Sequence, residues 1–151
     1  MIVFDTSVLL ILINNEPLLP RVQALLQQLE QSASVIGVST IVLSEFWVRV
    51  PAEDRAQLLA ALPVTVRLLP FDTGCAHTCA DMLHGLSTSA APLGTSKTRI
   101  KKDLLIIATA KAHQATHIYT QDKGFCDLSN RVGFGCTLVE TIPLTAQSSF
   151  L

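Results

Sequence analysis

The strongest constraint on this chain is a repeated local pattern. A short apolar, β-branched run stops at hydroxyl or carboxylate residues and passes directly into a segment with helical spacing. Met1–Phe4 ends at Asp5-Thr6-Ser7, Val35–Val38 at Ser39-Thr40 before Ile41–Val50, Val64–Leu69 shortly before Asp72-Thr73, and His117–Thr120 just before Asp122. Oxygens at such positions accept hydrogen bonds from the unpaired amides of a starting helix, so each boundary reads as strand, then helix. Val22, Leu25, Leu26 and Leu29 recur at helical spacing after Pro20, and Glu53–Leu62, Thr73–Leu86 and Lys102–His113 supply further helices. Pro51 stops the helix that starts near Ile41, and Cys136–Glu140 forms a last strand beyond a glycine-bearing turn region. Parallel strands need crossovers, and helices are the usual crossovers. The alternation therefore predicts an α/β fold, a three-layer α/β/α sandwich with a central, mainly parallel sheet.

Composition supports a covered sheet. The 151 residues are 49% hydrophobic and 15% charged, which excludes disorder. A chain of this length buries roughly 68–70% of its unfolded surface, enough for one domain over residues 1–151. With a net charge of −1 and a pI near 6.4, no general positive field can hold nucleic acid, and any such contact must be local. The start lacks a basic n-region, and Val8–Ile13 is too short to cross a bilayer, so a soluble cytoplasmic protein without membrane association is expected. Cys75, Cys79, Cys126 and Cys136 lack Cys-x-x-Cys spacing and read as reduced core thiols. Cys75 and Cys79 share a helix face with His84 further along, but without paired cysteines a zinc site is disfavoured.

Four acids stand out by position. Asp5 and Asp122 follow two strands, Asp103 opens the helix leading into the second of them, and Glu45 lies one helical turn past a third. Each has a plainer explanation: Asp5 as a helix cap, Asp103 as a charge on the helix dipole, Asp122 as a turn residue, Glu45 as a rim residue. Glu45 fits its plainer explanation least well, because its i−4 and i+3 neighbours are Ile41 and Val48 and an ionised carboxylate beside an apolar stripe needs a partner. In open α/β sheets, ligands bind beyond the carboxyl ends of the strands. If the strands are adjacent, the four acids meet there, and each pair at ~4 Å repels by about 4 kcal/mol at intermediate dielectric. A cation must offset that repulsion. Oxygen ligands without His or Cys select Mg²⁺ or Mn²⁺, and the expected reaction is metal-assisted hydrolysis of a phosphoester by in-line attack.

Thr6, Ser7 and Thr120 carry hydroxyls suited to orienting these carboxylates. Lys97-Thr98-Arg99-Ile100-Lys101-Lys102 is the one dense basic cluster, read as lying just before the Asp103 helix. Cations at a helix N-terminus oppose the dipole, and that cost suggests phosphate binding by Arg99, Lys101 and Lys102, with Lys123 on the opposite side. Ser87–Ser96 is the best loop in the chain and a candidate rim. Nucleotide-binding loops of the Gly-x-x-x-x-Gly-Lys-Ser/Thr or Gly-x-Gly-x-x-Gly type are absent from the sequence.

Together, Val3-Phe4-Asp5-Thr6-Ser7, Ser44-Glu45, Asp103-Leu104-Leu105-Ile106-Ile107-Ala108-Thr109-Ala110 and Tyr119-Thr120-Gln121-Asp122 resemble the acidic motifs of PIN-domain ribonucleases, most nearly VapC-type toxins, over Met1 to about Leu144. The resemblance implies an Mg²⁺- or Mn²⁺-dependent endoribonuclease in which Asp5, Glu45, Asp103 and Asp122 occupy the family's acidic positions. It also implies a homodimer and an antitoxin partner. At Gly124-Phe125 the family often has a second acid before the aromatic, so that ligand is either absent here or supplied by Asp127. Two other readings compete. One is a PIN-like module that binds RNA or protein without cutting. The other is a phosphatase forming an aspartyl-phosphate on Asp5, which Ser7 opposes by standing where a second carboxylate would act.

Overall fold

The strand β1 (Ile2–Phe4) is the middle of a five-stranded sheet with β2 (Val35–Ser39) on one side and β4 (His117–Thr120) on the other. The outer strands are β3 (Thr65–Leu69) beside β2 and β5 (Cys136–Leu138) beside β4, giving the order β3-β2-β1-β4-β5. Every pairing is parallel, with Val3 opposite Gly37 and Ile118, Ser39 opposite Leu69, and Thr120 opposite Leu138. The computed structural model describes residues 1–14, 16–62, 64–88 and 97–144.

The connections are α1 (Thr6–Asn14) and α2 (Leu19–Gln31) between β1 and β2, α3 (Thr40–Trp47) and α4 (Arg55–Ala60) between β2 and β3, α5 (Thr73–Ser87) and α6 (Lys97–Ala112) between β3 and β4, and α7 (Lys123–Arg131) between β4 and β5. The chain steps outward from β1 to β3 and then returns to β4 and β5. Right-handed crossovers therefore place α1–α4 on one face and α5–α7 on the other. The helix contacts agree: α1 packs on α2 and α3, and α6 on α5 and α7. The result is the α/β/α sandwich that the alternation predicted. Val3, Phe4, Ile36, Val38 and Ile118 on the inner strands are completely buried, as expected of strands covered on both faces. Among the described residues, no helix is long and apolar enough to cross a membrane.

The structure corrects three expectations. First, α6 starts at Lys97, so the basic cluster expected in a loop forms its opening turns and Asp103 lies in the second turn. Second, the turn region expected after Asp122 contains the helix α7, whose buried face is Phe125, Cys126, Leu128 and Ser129. Third, the last strand ends at Leu138 and passes into a 3₁₀ turn, Val139–Thr141. The loop expected at Ser87–Ser96 lies outside the described residues except for Ser87, which ends α5, and Thr88, its C-cap.

Candidate functional site

The return of the chain to β4 makes β1 and β4 neighbours whose following connections leave toward opposite faces. A crevice opens at their carboxyl ends, the usual place for a ligand in such a sheet. A cavity of about 510 Å³ lies there, lined by Asp5, Thr6, Ser7, Glu45, Arg99, Lys102, Asp103 and Asp122, with Leu10, Ile106 and Phe125 as apolar walls. The four acids singled out in the sequence thus share one cavity. The walls were not foreseen, because each reads as an ordinary core residue.

Asp5 follows β1, and its amide donates to the Tyr119 carbonyl at 3.1 Å, fixing the end of β1 against β4. The side chain is 7% exposed. Its Oδ2 accepts hydrogen bonds from Thr120 Oγ1 at 2.9 Å and Ser7 Oγ at 3.0 Å. Thr120 Oγ1 also accepts the Asp122 amide at 2.9 Å, and Ser7 Oγ accepts the Gln121 amide at 2.9 Å. These two hydroxyls join the β1 and β4 strand ends through the carboxylate that needs orienting. Thr6 Oγ1 donates to Glu45 Oε2 at 2.6 Å, linking the start of α1 to α3. All three hydroxyls expected to orient carboxylates make contacts of that kind.

Glu45 Oε1 is shielded from solvent and is paired with the Lys102 ammonium at 2.5 Å. Arg99 pairs with Asp122, whose other oxygen caps α7 by accepting the Phe125 amide at 3.1 Å. Asp103 is pushed up to about 6 by burial first and then by the negative charges of Asp122 and Asp5, which outweigh Arg99 and Lys102. The cavity therefore has an excess of negative charge and holds two cations of its own against it. Glu45 Oε1, shielded from solvent, is met by the Lys102 ammonium alone, and Asp103 resists ionisation among its acidic neighbours, so the cluster suits a cation of higher charge. The all-oxygen donor set fits a hard divalent ion of the Mg²⁺ or Mn²⁺ kind.

Arg99 and Lys102 reach the cavity from α6. Lys101 and Lys123 are exposed and do not line it, and neither does Asp127, the substitute acid considered at the sequence level. Ser7, bonded to Asp5, stands where an aspartyl-phosphate enzyme would need an acid.

Among models of protein families, that of the PIN domain matches residues 2–130. No curated protein matches the sequence. Similar solved structures include VapBC2 from Rickettsia felis bound to a fragment of its promoter DNA, at 21% identity and a TM-score of 0.66, covering 91% of this chain and 98% of that one. DNA-bound VapBC from Salmonella typhimurium matches at 17% identity and a TM-score of 0.63, covering 91% and 97%. FitAB bound to an IR36 DNA fragment matches at 22% identity and 0.60, covering 97% and 100%. At these identities the likeness is one of fold.

Proposed function

Because the chain belongs to the PIN domain family, we propose that it is a divalent-metal-dependent endoribonuclease that hydrolyses RNA phosphodiester bonds, and that it acts as the toxin of a toxin–antitoxin pair. The observation that carries the reading is the meeting of Asp5, Glu45, Asp103 and Asp122 in one cavity at the β1–β4 crevice. These four would hold Mg²⁺ or Mn²⁺, which supplies Lewis acidity and an activated water when bound. Ser7 and Thr120 fix the Asp5 oxygen, and Thr6 fixes that of Glu45, so the ligands are oriented in advance. Arg99 and Lys102, at the cavity, are placed to take the non-bridging oxygens of the cut phosphate, while Lys101 and Lys123 contact flanking phosphates.

The antitoxin partner rests on the likeness to VapBC and FitAB complexes. The homodimer follows the family resemblance, and four free thiols suit the cytoplasm. The competing reading is a module that binds RNA or protein without cutting. It draws on the two ion pairs, which neutralise two of the acids internally.

The test is incubation of the purified protein with mixed RNAs and Mn²⁺, beside EDTA and the variants Asp5→Asn and Asp103→Asn. Cutting is expected with Mn²⁺ alone and is lost with EDTA and in both variants. Equal cutting by the variants places the activity elsewhere, and intact RNA despite measured Mn²⁺ binding favours the silent module.

A further inference from the structure

Away from the acidic cavity, the turn after β3 and the end of α6 bring together three different donors. Asp72 caps α5, its Oδ1 accepting the Cys75 amide at 3.0 Å. That bond is the main reason the Asp72 carboxyl lies below its ordinary range and stays ionised. Cys75, in the first turn of α5, is fully buried. His113, just past α6, is half-buried. A carboxylate oxygen of Asp72, Cys75 Sγ and a ring nitrogen of His113 all lie within 4.8 Å of one another. The sequence suggested different companions for Cys75, but Cys79 joins the apolar core and His84 is exposed.

A second observation concerns the Pro70 carbonyl. His113 Nε2 lies 2.9 Å from it and Cys75 Sγ 3.6 Å from it. Two groups thus converge on one backbone oxygen, the thiol through a weak S–H contact. A divalent cation entering that space would displace the thiol proton to solvent. It would then bind the thiolate, take the imidazole lone pair and face the carboxylate, and its two positive charges would balance two negative ones. Zn²⁺ distances of about 2.3 Å to sulfur and about 2.0–2.2 Å to nitrogen and oxygen set tetrahedral ligand atoms roughly 3.3–3.6 Å apart, so the three groups need to close by at most about 1.5 Å. The sulfur–nitrogen–oxygen set also selects against Mg²⁺ and Mn²⁺.

We propose that Asp72, Cys75 and His113 form a second metal site, which takes Zn²⁺ or a similar borderline-soft divalent ion and staples the β3–α5 turn to the C-terminal end of α6. The fourth position falls to the Pro70 carbonyl or a water. None of these residues lines the acidic cavity, so the site does not depend on the nuclease reading.

Cobalt(II) is the discriminating probe, because thiolate-to-cobalt charge transfer reports sulfur ligation and the acidic cavity holds no sulfur. Titration of the reduced, metal-free full chain with Co²⁺ is expected to raise that band to saturation at one equivalent, and Zn²⁺ is expected to abolish it. Cys75→Ser should lose the band. His113→Asn, which changes a half-buried side chain and keeps the fold, should weaken Co²⁺ binding by ~100-fold or more, since losing a direct ligand costs at least as much as losing an outer-sphere partner. Cys79→Ser should leave the band unchanged. A band absent from the wild type, retained in His113→Asn at full affinity, or lost in a Cys126→Ser/Cys136→Ser chain instead would overturn the proposal.

Discussion

At the scale of single residues, Asp103 carries the clearest conflict between stability and the proposed function. Its folded-state value of about 6 stands above the ordinary 3.8, so the folded chain binds this proton more readily than the unfolded one does. The stability it contributes is complete below about 3.8 and is lost as pH rises through about 6. At neutral pH the ionised group therefore weakens the metal-free fold. Asp103→Asn should raise stability in EDTA by about 1 kcal/mol at pH 7, after allowance for the solvent screening of a half-exposed group. Urea unfolding should show that gain disappearing near pH 4, while the variant loses all cutting. A gain persisting at low pH would mean that packing, not charge, is responsible. Thr6 offers the opposite case, since Thr6→Val deletes the 2.6 Å bond to Glu45 but keeps the shape. Calorimetry should show Mn²⁺ binding ~10–100-fold weaker with the fold intact, and Thr6→Ser should restore it. Glu45 was readable in the sequence because a charge beside an apolar stripe demands a partner. That Lys102 is that partner was not, because the contact spans 57 residues and depends on how α6 crosses the sheet end.

At the scale of elements, α6 explains one of the misreadings. Its second half is apolar nearly all round, with Leu104, Ile107, Ala108, Thr109 and Ala110 completely buried, and this half was legible as a helix. Its first turns hold Arg99, Lys101 and Lys102, cations that oppose the helix dipole, and local rules place the boundary after them. Ion pairs with Asp122 and Glu45 offset that cost, and no local rule could see them. The helix α7 was missed for a different reason. Gly124, Ser129 and Asn130 are weak helix formers, and Cys126 and Ser129 fill buried positions without a strong apolar signal. The inner strands, by contrast, are so closely covered that small changes matter. A Cβ on Gly37 would stand 2.8 Å from Leu69 Cδ1, 3.1 Å from Val3 Cγ2 and 3.2 Å from Met1 Sδ. Gly37→Ala should cost about 1–3 kcal/mol by chemical denaturation. Mn²⁺ affinity should stay unchanged, because the crowding lies in the sheet and not at its carboxyl end.

At the scale of the whole molecule, the sequence yielded the layers but not the order of the strands. Strand ends and their acids are local signals, whereas the neighbours of β1 depend on where the chain reverses direction. That reversal sets β1 beside β4 and brings Asp5 and Asp122 to one crevice. On the proposed function it also governs how a chain with net charge −1 would hold RNA. Without a divalent ion, Arg99 and Lys102 are engaged by the acids, and Lys101 and Lys123 are left to meet phosphates. Each phosphate contact on a single strand contributes about −0.7 to the slope of log affinity against log salt, so two contacts give about −1.4. On that reading an ion that took over the carboxylates would turn Arg99 and Lys102 toward the phosphates, and four contacts would give about −2.8. Anisotropy of a short non-hydrolysable RNA analogue, titrated over a range of NaCl concentrations with EDTA or with Mn²⁺, measures both slopes. Lys101→Ala should reduce each by about 0.7. Equal slopes in the two conditions would show that the paired cations stay on the carboxylates and that the metal acts on RNA without them.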